Sequence, residues 1–60
     1  MSSFAKLKEL IAAAEADATA FYEKGNKAAG TRLRKAYLEI KNAAQEGRAE
    51  VSELKNKEKE

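Results

Sequence analysis

Two apolar stripes at helical spacing, separated by the pair Gly25-Asn26, leave this chain few folds to choose from. Phe4, Leu7, Ile11, Ala14, Ala18 and Phe21 follow one another at alternating gaps of three and four residues, with Leu10 and Tyr22 widening the stripe. Leu33, Tyr37, Ile40, Ala44, Gly47, Val51 and Leu54 repeat the pattern further on. Such spacing puts each set on one face of an amphipathic helix that must pack on another helix. Gly and Asn both tolerate positive φ, so the pair between the stripes marks a turn. A short link between helices makes them antiparallel neighbours.

The expected fold is therefore all-α: an antiparallel two-helix hairpin of the coiled-coil type, one domain over residues 1–60. Helix one is expected over 4–24, the turn at 25–26 and helix two over 27–57. The chain has no proline and is dominated by good helix formers. Ser2 or Ser3 is positioned to cap the first helix and Asn26 the second. A later start, with Thr31 as cap after Gly30, is the competing possibility. Folding at the turn pairs residues whose numbers sum to about 55. Ile11 then faces Ala44, Ala14 faces Ile40, Ala18 faces Tyr37 and Leu7 faces Gly47, large against small. On this reading Gly47 serves close helix packing, and the four aromatic rings belong to the core with both tyrosine hydroxyls at its rim.

Hydrophobic residues form 43% of the chain, but half of them are alanine, which leaves few large side chains for a core. Burying each large one contributes roughly 1.5–3 kcal/mol, against a conformational entropy cost of about 1.5 kcal/mol per ordered residue. There is no Cys for a disulfide and no Cys or His for a structural zinc. The hairpin is accordingly expected to self-associate as a dimer or tetramer, with a four-helix bundle as the natural product. Ala13, Ala16 and Ala20 on the outer side of helix one, and Leu38 on that of helix two, offer either a second interface or ordinary helix propensity.

The same absences exclude most catalysis. Without His or Cys there is no imidazole base, thiol nucleophile or metalloprotease motif. A chain this short hardly encloses a pocket for carboxylate chemistry, so no enzyme, cofactor or small-molecule substrate is expected. Mean hydropathy is −0.70, and the longest apolar run, Leu10 to Ala14, is too short for a membrane span. The first residues lack the apolar stretch of a signal peptide, so a cytoplasmic location is expected.

Net charge is +2, a small figure that hides a strong asymmetry. Residues 1–23 balance at −2 and residues 42–60 at −1. Between them Lys24, Lys27, Arg32, Arg34, Lys35 and Lys41 stand against Glu39 alone, a balance of +5. This block falls at the hairpin tip and along the start of helix two, where the helix dipole and unpaired N–H groups also favour an anion. Thr31 and the backbone near Gly30 are candidates to add hydrogen bonds to a phosphate. The reading that follows is phosphate-directed DNA binding without sequence specificity. The alternative is a helical oligomerisation or protein-interaction module with no nucleic-acid role.

The stretch Gly25-Asn26-Lys27-Ala28-Ala29-Gly30-Thr31-Arg32-Leu33-Arg34-Lys35 resembles the bacterial linker-histone-like family, the small histone-like proteins of chlamydiae and their short relatives in Bacteroidetes. The shared pattern is Gly-Asn-Lys-Ala-Ala, two residues, then Arg-aliphatic-Arg. The upstream Leu-Lys-Glu-Leu-Ile and the downstream Ala-Gln-Glu-x-Arg-Ala-Glu-Val also look like the Bacteroidetes members. The resemblance implies DNA binding and nucleoid compaction, with duplex DNA as partner and Lys27, Arg32, Arg34 and Lys35 at the matching positions. Chlamydial members carry a Lys- and Ala-rich tail, whereas residues 42–60 here are nearly charge-balanced. DNA contact is thus expected to rest on the helical part.

Overall fold

The computed structural model describes residues 2–58. Ser2 opens the first helix by accepting the Ala5 N–H at 3.2 Å on its hydroxyl. This helix, α1, spans Ser3–Lys24. Gly25 stops it in the left-handed conformation, at φ 68°, with its N–H donating to the Phe21 carbonyl at 3.1 Å. A side chain at that φ is strained, which is why glycine stands there. Asn26 then turns the chain and accepts the Ala29 N–H at 3.1 Å on its side-chain oxygen. The second helix, α2, spans Lys27–Glu58. Its cap is thus Asn26 rather than Thr31, and Gly30 lies inside the helix.

The two helices lie side by side as an antiparallel hairpin measuring 52 × 15 × 14 Å. The register differs from the expected one. Phe21 meets Gly30, Asp17 meets Arg32, Lys6 meets Glu46, and Ser3 meets Gly47 and Glu50. Paired numbers sum to about 50 rather than 55: α2 starts at Lys27 as expected, and a turn centred between Gly25 and Asn26 pairs residues that sum to about 51, so the expected pairing stood about one helical turn too far along α2. Ala14 is therefore level with Ala36 instead of Ile40.

The seam is the expected one in part: Leu7, Ala14, Leu33, Ile40 and Gly47 lie in it, whereas other members of the two stripes do not. Its buried residues are Ser3 and Ala14 on α1, and Ala29, Leu33 and Ala43 on α2. Leu7, Leu10, Ala36, Ile40 and Gly47 are half-buried beside them. Phe4, Ile11, Tyr22, Tyr37, Val51 and Leu54, expected in the core, are exposed, Phe4 at 68%. Phe21, at 39%, lies half over Gly30. The physical reason is close approach: alanine at the contact line lets two helix backbones come nearer than large side chains do, and the bulk is displaced to one side. Phe4 of α1 and Val51 of α2 consequently line one shallow groove, and Phe21, Tyr22 and Tyr37 another, while Ile11, seven residues after Phe4, is exposed on the same flank of α1.

Ser3 is the buried polar residue. Its N–H donates to both carboxylate oxygens of Glu50, at 3.3 and 3.2 Å, and its hydroxyl donates to Oε2. A carboxylate at a helix N-terminus complements the positive end of the helix dipole. Glu50 thus serves as a second cap, supplied by the other helix.

Candidate nucleic-acid interface

The hairpin geometry sorts the cations of residues 24–41 into separate places. Lys24 ends α1 and Lys27 begins α2, so the two bracket the turn. Arg34 and Lys41 follow Lys27 at seven-residue intervals, which keeps all three on one flank of α2, exposed. Thr31 lies beside this row, its hydroxyl donating back to the Lys27 carbonyl at 3.4 Å. Lys35 is exposed but outside this row, three residues after Arg32 and four before Glu39. Arg32 stands on the opposite flank, where its Nε and Nη2 both sit 3.0 Å from Asp17 Oδ1.

Glycine at position 30 has a different role from the one expected. A Cβ there would come within 2.6 and 2.7 Å of the Phe21 ring. The Gly30 N–H is already donated to the Asn26 carbonyl at 3.1 Å. The residue makes room for an aromatic ring of its own chain rather than for a phosphate. In α2 the first turn contains no acidic residue, and among the described residues neither Lys27 nor Arg34 is paired with a carboxylate.

Beside Lys27 and Arg34 stand Phe21, Tyr22 and Tyr37, which line a shallow depression with them. Phe21 and Tyr22 pack edge to face, with centroids 5.1 Å apart. The hydroxyls of Tyr22 and Tyr37 are 3.0 Å apart. The Tyr37 hydroxyl beside it raises the pKa of the Tyr22 phenol above the ordinary value, since ionising Tyr22 weakens this bond and places charge next to its neighbour.

Acidic residues take the other flank of α2. Glu39 and Glu46 lie there, with Lys6 Nζ 4.0 Å from Glu46. Charge therefore separates around the helix as well as along it. Dividing the sequence into consecutive segments misses this. It also misses Arg48, which lies seven residues past Lys41 and lines the groove at Phe4 and Val51. Counting in sevens from Lys27 finds it. Among the described residues no group of His, Cys, Asp or Glu is arranged to hold a metal ion, and no helix is long and apolar enough to cross a membrane.

The molecule is a slender all-α hairpin with an exposed row of cations on one flank of α2, and Glu39 and Glu46, together with Arg32 and Lys6, on the other. The chain belongs to the family of histone H1-like protein Hc1, whose family model matches residues 1–57. Comparison with curated proteins and with solved structures gives no match.

Proposed function

We propose that this protein binds duplex DNA through its phosphates, without reading sequence, and helps to organise a bacterial chromosome as a nucleoid protein of the short Bacteroidetes type. The observation that carries the reading is the exposed cationic flank of α2, in a chain of a histone-like family. Lys24, Lys27, Arg34, Lys35 and Lys41 are the contact residues, with Thr31 adding a hydroxyl. Arg32 joins them by exchanging Asp17 for a phosphate. Self-association as a dimer or tetramer covers Phe4, Ile11, Tyr37 and Val51, most simply in a four-helix bundle. It also multiplies the basic surfaces on one particle and raises avidity.

The test is a salt-dependent gel shift with several unrelated duplexes. Each neutralised phosphate contributes about −0.9 to the slope of log K against log salt. A dimer making three to four contacts per tip gives a slope of about −5 to −7. Charge reversal at Lys27 and Arg34 weakens every duplex alike. A wild-type protein that ignores duplex DNA at low salt refutes the reading and leaves an oligomerisation module. Replacing Phe4 and Val51 by Ser, followed by sedimentation, tests the assembly: mass falls to that of one chain while helicity stays.

A further inference from the structure

The cation row does not stop where the basic segment of the sequence ends. Lys27, Arg34, Lys41, Arg48 and Lys55 recur at every seventh position of α2, each of them exposed. With a rise of 1.5 Å per residue, neighbours in the row are about 10.5 Å apart and its ends about 42 Å apart. A free α-helix drifts by about 20° per seven residues, so such a row would normally wind around it. Here α2 is held against α1 from Ala29 to Gly47 with seam residues at alternating three- and four-residue gaps. That packing keeps the row parallel to the seam through Arg48. Among the described residues, none of the five cations pairs with a carboxylate, while both ion pairs of the hairpin, Arg32–Asp17 and Lys6–Glu46, lie on the other flank.

We infer that the whole length of α2 is a polyanion rail: the five cations lie along a duplex, with the hairpin tip as one end of the contact. This rests on the DNA-binding reading above and specifies how the duplex is held. A duplex turn measures about 34–36 Å, so a row of about 42 Å spans slightly more than one turn and meets the backbones of both strands. A tip alone reaches a single patch of backbone. Even spacing along a straight line suits the regular, sequence-independent charge of the duplex, which presents one negative charge per about 1.7 Å of axis.

The experiment compares two double variants of the full chain in the salt-dependent gel shift. R48Q/K55Q removes two row charges, with Arg48 about 32 Å along the helix from Lys27. K6Q/K8Q removes two charges from α1. The rail requires R48Q/K55Q to make the slope of log K against log salt shallower by about 1.8 per protomer, and K6Q/K8Q to leave it unchanged. An unchanged slope in R48Q/K55Q overturns the rail in favour of tip contact alone. Equal loss in both variants overturns it in favour of diffuse net-charge attraction. A change in the DNA-free oligomer mass of R48Q/K55Q also overturns it, because the row is then a contact between copies. Failure of the underlying reading shows itself separately, as absence of duplex binding by the wild-type chain.

Discussion

Gly30 and Gly47 both stand inside α2, and alanine has opposite consequences at the two. In a helix interior Gly→Ala gains about 1 kcal/mol, because alanine loses less backbone freedom on folding. At Gly47 a Cβ meets only Ser3 Cβ, at 3.8 Å, an ordinary contact. Gly47→Ala therefore delivers the full gain, raising Tm by roughly 4–8 °C for a domain of this size. At Gly30 the Cβ lies 2.6 Å from the Phe21 ring, so the ring or α2 has to move. Overpacking of this kind costs about 1–3 kcal/mol. It cancels or exceeds the propensity gain, leaving Gly30→Ala between neutral and about 2 kcal/mol destabilised. The cause is checked in a Phe21→Ala background, where the space is free and Gly30→Ala stabilises by about 1 kcal/mol. Thermal unfolding followed by circular dichroism at fixed protein concentration compares the wild type with the four variants. A Gly30→Ala protein as stabilised as Gly47→Ala, or a Gly30 effect unaltered by Phe21→Ala, refutes the assigned packing.

Leu33, only 5% exposed, is the large side chain most deeply set in the seam, and Leu33→Ala lowers stability by about 2–5 kcal/mol, whereas Leu38→Ala, on the open face, costs less than about 0.5 kcal/mol; denaturant melts compare the two. Glu50→Ala leaves the Ser3 N–H and hydroxyl without their acceptor, costing about 1 kcal/mol and speeding amide exchange in the first turn of α1. The raised Tyr22 pKa means that the folded chain holds the phenol proton more tightly than the unfolded one. That contribution is complete below the ordinary tyrosine pKa and is lost as pH rises through the folded value. Ultraviolet titration shows one tyrosine ionising late in the wild type and at its ordinary value in Tyr37→Phe.

The hairpin itself was legible from residues: two stripes, a Gly-Asn turn and capping side chains at both helix starts. The choice of seam was not. Alanine accompanies both possible stripes of each helix, and reading by size favours the one with Phe4, Ile11, Tyr37 and Val51. Packing keeps Ala14 and Leu33 in the seam but turns each helix so that Ser3, Ala29 and Ala43 join them, where small side chains permit close backbones. The start of α2 at Lys27, capped by Asn26, was legible, but the register was set by matching large residues to small ones across the wrong contact line rather than by the turn itself. The candidate interface was half visible. The excess of cations over 24–41 stood out as a local sum, but separation around the helix axis emerges only once the seam direction is known. Asp17 holding Arg32 is a contact across fifteen residues that no local pattern announces.

An alanine seam has a thermal signature as well as a geometric one. The heat-capacity increment of unfolding rises with the apolar surface newly exposed to water. In this hairpin the largest apolar side chains already face water in the folded chain. A single protomer should therefore fall below the usual value of about 12–15 cal/mol/K per residue, with a broad, shallow stability curve. Assembly over the Phe4–Val51 flank restores the missing increment. Calorimetry across a dilution series thus reads coverage of that flank as curvature: sharp domes where copies are assembled, flat ones where they are alone.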